Sequence, residues 1–177
     1  NPRNALRVAQ TLRRVGEISS RRAVQAEGLL AEGVAMLAIG DVRSAIHVLE
    51  LGKALFSSTG RNQAAVVRAS LPLAAALRME GDRRSGAATL LRTRTLCLEI
   101  ENAALLAGVS LNLGNILLED GDLEGALRHY SYVVRSSDLL GSDKRALRGR
   151  LGLALADLRM GSFTEAIELA QRALRDA

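Results

Sequence analysis

Stretches rich in Leu, Ala, Val and Ile, with apolar residues recurring every three to four positions, alternate along the chain with short polar breaks. That periodicity is the mark of helices with one buried face. Four of the breaks share a form, AIGDVRSAI, MEGDRRSGA, EDGDLEGAL and RMGSFTEAI, with glycines at Gly40, Gly81, Gly121 and Gly161, spaced 41, 40 and 40 residues apart. A glycine can take the left-handed conformation that ends a helix. The residue after it, Asp41, Asp82, Asp122 or Ser162, can accept a hydrogen bond from the free amides of the next helix. Ser162 and Glu165 also have the S-x-x-E spacing of a capping box. So short a connection folds the flanking helices back on each other as antiparallel hairpins. The pattern predicts helices over 3–16, 21–39, 42–57, 62–80, 83–98, 102–120, 122–137, 142–160 and 163–176.

Small residues recur in register with the breaks. Gly33, Ala74, Gly114 and Ala154 lie seven residues before each glycine, and Ala45, Gly86, Ala126 and Ala166 lie five after. Helices approach closely where side chains are small, so one small residue from each arm is expected to mark a hairpin crossing.

On these residues the chain resembles the tetratricopeptide repeat (TPR) family. The third repeat fits through Leu113, Gly114, Gly121, Leu123, Ala126 and Tyr130, and the fourth through Leu153, Ala154, Gly161, Phe163, Ala166 and Ala173. The first two are looser: Glu32 replaces a leucine, Arg83 replaces a hydrophobe, and in the fourth repeat Asp157 stands at a usually apolar place. The period near 40 exceeds the family's usual one of about 34. The likeness is therefore to a long-helix branch, such as the sensor segments of maltose-regulator-like bacterial signalling proteins. It implies an all-α fold, a right-handed superhelical solenoid of antiparallel hairpins. Residues 1–177 form one such domain, with hairpins at 21–57, 62–98, 102–137 and 142–176, and with 1–18 as the second helix of an earlier repeat, Ala5 matching Ala45.

By the same resemblance, first helices line a concave groove in which the family commonly holds peptides. The family's groove positions fall on Leu30, Leu71, Leu111 and Leu151, then four further on at Val34, Ala75, Asn115 and Leu155, with Arg68 and Arg148 at the edge. The leucines either form an apolar stripe for a partner or pack against the neighbouring repeat. The lysines with which some relatives clamp a peptide carboxylate are replaced here by leucine; only Asn115 agrees. Pro72 removes a backbone hydrogen bond inside its helix and is expected to kink it.

Composition narrows the chemistry. Only four aromatic residues occur, Phe56, Tyr130, Tyr132 and Phe163, and there is no Trp. Residues 1–22 hold six arginines against Glu17, and the remainder is neutral. Such a basic start can attract phosphate or a membrane surface. Arg3, Arg7 and Arg14 also recur as on the solvated face of a first helix, and with so few rings for base stacking nucleic acid is the less favoured partner. No apolar run approaches the roughly 20 residues that span a bilayer. No secretory signal is visible, and the start at Asn1 rather than Met is expected of a piece of a longer polypeptide. The single cysteine, Cys97, fits a reducing, cytoplasmic setting.

Nothing in the sequence points to catalysis, a cofactor or a metal. His47 and His129 fall in separate repeats, Cys97 is set among aliphatics, and no phosphate loop, dinucleotide fingerprint or H-E-x-x-H helix occurs. The expected function is non-enzymatic binding of a protein or peptide segment in the groove. The alternative is a regulatory sensor segment of a larger ATPase or transcription regulator, receiving a small effector or an intramolecular domain. Phe163, Ile167, Ala170 and Leu174 share one side of the last helix without a following cap helix, so the expectation is that either the native chain continues or copies associate end to end.

Overall fold

Each break ends one helix and starts the next. The computed structural model describes residues 1–59 and 62–175, and among them it holds nine α-helices and no strand. They are α1 (Pro2–Ile18), α2 (Arg22–Ile39), α3 (Val42–Ser58), α4 (Gln63–Glu80), α5 (Arg83–Glu99), α6 (Ala103–Asp120), α7 (Leu123–Leu139), α8 (Asp143–Met160) and α9 (Phe163–Arg175). The predicted spans agree to within two residues; position 176, the predicted end of the last helix, lies outside the described residues.

The caps account for these boundaries. Gly40, Gly81, Gly121 and Gly161 have φ of 85°, 95°, 84° and 83°. The carboxylates of Asp41, Asp82 and Asp122 accept from the amides of Ser44, Ser85 and Gly125 at 3.3, 3.0 and 2.8 Å. At the fourth break the Ser162 amide donates to the Asp157 carbonyl at 2.9 Å, and the Ser162 carbonyl accepts from the Ala166 amide at 3.0 Å. Between hairpins the left-handed residue is Ser20 (φ 54°), Glu101 (φ 49°) or Gly141 (φ 63°). Two of these three carry a side chain in a region that costs a non-glycine residue about 1–2 kcal/mol.

The chain divides into two compact units, Asn1–Ile100 and Glu101–Ala177. In the first, α1 to α5 pack in sequence, and the first helices α2 and α4 also touch each other. In the second, α6 to α9 pack in sequence, and α6 touches α8. The second helices behave differently: α3 and α5 do not meet, nor do α7 and α9. Each unit is thus a run of hairpins in which the second helix of one packs on the first helix of the next, α3 on α4 and α7 on α8, with lighter contact between the first helices.

All eight predicted crossing residues are buried. In two of the hairpins small does not meet small, however. The space beside Gly33 is filled by Leu49 of α3, and that beside Gly114 by the ring of Tyr130 of α7. Each of these bulky residues stands four positions after the small residue of its own helix, Ala45 or Ala126. A hole opposite a large side chain keeps the interior at crystal-like density, which two facing alanines could do only by bringing the backbones together.

Backbones do come together between α1 and α2. A methyl group on Gly16 would lie 2.3 Å from the Gln25 nitrogen, and one on Gly28 would lie 2.4 Å from the Arg13 nitrogen. Beside this contact Glu32, only 4% exposed, accepts from Arg13 Nε at 2.9 Å and from Gln10 Nε2 at 3.3 Å. Arg13 also reaches Glu17 at 2.8 Å. Burial acts to lower the Arg13 pKa, but the carboxylates of Glu32 and Glu17 outweigh it and hold it above its ordinary value. The departure at Glu32 is thereby explained: a leucine there could not accept the bonds from Gln10 and Arg13 of α1. Ala5, matched in sequence to Ala45, is exposed, because α1 meets α2 through Ala9, Arg13 and Gly16 rather than through its first turn.

Among the described residues the core of the first unit includes the clusters Ala26, Phe56, Ala65 and Ala69, and Ala45, Leu49, Leu73 and Ala76. In the second unit Leu118, Ala126, Tyr130 and Ala156 form the centre. Helix α4 runs continuously through Pro72, which has no N–H to offer the Arg68 carbonyl.

Asp157, half-buried in α8, is the one departure that works against the fold. Burial, then the nearby charge of Glu165, pushes its carboxyl above the usual carboxylate range. A raised folded-state pKa means that the ionised group opposes folding at pH 7, and that stability rises as pH falls through that pKa toward the unfolded value. Asp157→Asn is therefore expected to be more stable than the parent at pH 7, by about 0.5 kcal/mol after solvent screening. The advantage should vanish on acidification; urea midpoints at pH 7 and pH 4 check it, and a variant less stable at pH 7 refutes it.

Candidate functional site

The expected groove residues lie on the first helices, and the two units present them differently. In the first unit Leu30 of α2 is half-buried and packs against both core clusters, so part of its surface belongs to the interior. Val34, one turn further on, is 48% exposed. Leu71 and Ala75 of α4 are half-buried. Arg68 of α4 is paired with Glu27 of α2, a bridge between the two adjacent first helices.

In the second unit Leu111 of α6 is half-buried against the Tyr130 cluster. Asn115 Oδ1 accepts from the Tyr130 hydroxyl at 2.8 Å, which fixes the amide within the α6–α7 hairpin. On α8, Leu151 and Leu155 are 45% and 52% exposed, and Arg148 is exposed beside them in sequence. Each unit thus offers aliphatic surface on a pair of touching first helices, with Val34, Leu151 and Leu155 giving the most.

Two partnerships were not foreseen from sequence. Glu27 stands 41 residues before Arg68, the same register in successive repeats, and that offset was the available signal for the bridge. For Asn115 the signal was weaker, since only the hairpin geometry brings Tyr130 to it.

The rest of the described chain offers no reactive constellation. Cys97 is buried and free, and burial pushes its thiol pKa up, away from reactivity. His47 is exposed, and His129 lies on another helix in the other unit. No group of three or more His, Cys, Asp or Glu able to hold a metal occurs among the described residues. No helix there is long and apolar enough to cross a membrane. The last helix does show an apolar face, with Phe163, Ile167, Ala170 and Leu174 all exposed.

Comparison with known proteins gives the fold. No protein-family profile matches the chain, and no curated protein sequence matches it. Solved structures do. BtubC (BKLC) from P. vanneervenii superposes with a TM-score of 0.82 over 97% of this chain and 72% of its own, at 16% identity. A Podosopora anserina protein of the kinesin light chain type, with nearly identical TPR-like repeats, superposes in a variant form at 0.74 (18% identity, 99% of this chain, 86% of its own). In another structure it superposes at 0.66 (17%, 99% and 96%). The chain has a TPR-like helical-repeat fold.

Proposed function

We propose that the chain is a non-enzymatic binding module whose first-helix faces receive an apolar segment of a protein. The observation that carries this reading is the exposure of Val34, Leu151 and Leu155 on helices whose neighbours in the stack are also first helices. Aliphatic side chains kept half in water, in a fold that buries Ala, Leu, Val, Phe56 and Tyr130 in its core, are available to a partner. Leu30, Val34, Leu71 and Ala75, with Arg68 at the edge, form the contact set of the first unit. Leu111, Asn115, Leu151 and Leu155, with Arg148, form that of the second. The partner segment belongs to another protein, or to a further domain of the same polypeptide if the chain is part of a larger regulator.

Burying one such side chain contributes about 1.5–3 kcal/mol, or roughly ten- to a hundredfold in affinity. Peptides selected from a library of amphipathic sequences are expected to bind the parent, and to lose at least tenfold affinity with Val34→Asp or Leu155→Asp. Both positions are exposed, so circular dichroism should show both variants folded. Selected peptides that bind both variants as well as the parent would contradict the assignment.

A further inference from the structure

The second helices of the first unit frame a separate cavity. Because α3 and α5 do not meet, a space of about 580 Å³ opens between them, with Leu73 and Leu77 of α4 among its walls. Lys53 of α3 and Arg92 of α5 face it from either side. A volume of this size is in the range that holds small organic ligands.

The formal charges lining this cavity cancel, two cations against two carboxylates, but they differ in what holds them. Lys53 is half-buried, and neither it nor Arg92 is engaged in an ion pair or side-chain hydrogen bond among the described residues. Of the two carboxylates that also line the space, Asp82 is committed to the Ser85 amide as the cap of α5. Glu50 is exposed and forms no ion pair among the described residues. Burial, then the charge of Arg92, lowers the Lys53 pKa, and Glu50 only partly opposes this. Two cations held near each other beside an aliphatic wall attract an anion with an aliphatic body.

We propose that this cavity binds a small organic anion, its carboxylate or phosphate group between Lys53 and Arg92 and its aliphatic part against Leu73 and Leu77. The site is independent of the first-helix faces, so it stands or falls apart from the peptide-binding reading.

Titration of the ¹⁵N-labelled 177-residue chain with hexanoate and with butyl phosphate tests it, with hexanol and inorganic phosphate as controls. Saturable shifts are expected at the amides of 50–57 and 85–92, from whichever of the two anions the site prefers. Lys53→Met and Arg92→Gln should each weaken binding about tenfold or more, the loss of one charge-assisted contact, with unchanged helical circular dichroism. Hexanol should not saturate, and inorganic phosphate should bind more weakly than butyl phosphate. The proposal is overturned if neither organic anion shifts these amides, if both variants bind like the parent, or if inorganic phosphate binds as tightly as its butyl ester.

Discussion

Truncation of Tyr130 to alanine is expected to destabilise the second unit by about 3–5 kcal/mol, the range for deleting a large buried aromatic. The side chain is 1% exposed and touches three helices at once. It rises from α7, and methyl groups added to Gly114 of α6 or Gly152 of α8 would stand 2.8 and 2.5 Å from its ring. Two glycines therefore shape a slot that a flat ring fills, and the leucines packed around the cluster, Leu118 among them, can close the vacancy only in part. Tyr130→Phe separates the ring from its hydroxyl. It keeps the packing, gives up the bond to Asn115, and should lose about 1 kcal/mol. Urea denaturation of the parent and both variants measures the two contributions. A loss below about 1 kcal/mol for Tyr130→Ala would mean that the slot closes easily, and that the packing account of this unit is wrong.

Gly28→Ala is the second large effect, and its sign runs against helix propensity. In an exposed helix the change would stabilise by about 1 kcal/mol. Here the new methyl group would lie 2.4 Å from the Arg13 nitrogen and 2.6 Å from its Cα, and backbone atoms cannot turn aside as a side chain can. Overpacking of this kind costs about 1–3 kcal/mol. With two main chains as the colliding parties, the upper part of that range applies, for a net loss of about 2 kcal/mol. Gly52→Ala is the comparison: its methyl would lie 3.1 Å from Leu29 Cβ, a contact that a small shift relieves. Hydrogen exchange of the α1 amides should accelerate in Gly28→Ala and not in Gly52→Ala. Equal protection in the two would show that α1 is not held by this close approach.

The contrast between these glycines shows what could be read in advance. Within the hairpins helix ends were legible because a glycine followed by aspartate or serine carries its own conformational reason; the other four breaks were legible from the apolar periodicity on either side of them. The positions of small residues were legible too, since they recur with the repeat. Their partners were not: Leu49 and Tyr130 fill the space beside Gly33 and Gly114 because volume is conserved across a contact, and the sequence of one helix does not state the volume opposite. Glu32 looked like a flaw in the pattern until α1 was seen to bring Gln10 and Arg13 to it. Leu30 packs on both core clusters and Leu111 on the Tyr130 cluster, whereas the exposed Leu151 stands on α8, the last first helix, and no single repeat encodes what its neighbours cover. Lys53 and Arg92 belong to different repeats at different offsets from their glycines, so their common cavity had no periodic signal.

The seam between α1 and α2 differs in kind from the others. What α2 presents there is Gln25, Gly28 and Glu32, a strip of amide, bare backbone and carboxylate. Parting most helices wets oily surface and invites clumping; parting this pair would hand water groups that it already solvates well. Local opening at this edge can therefore occur without making the molecule sticky, whereas loss of any inner helix cannot.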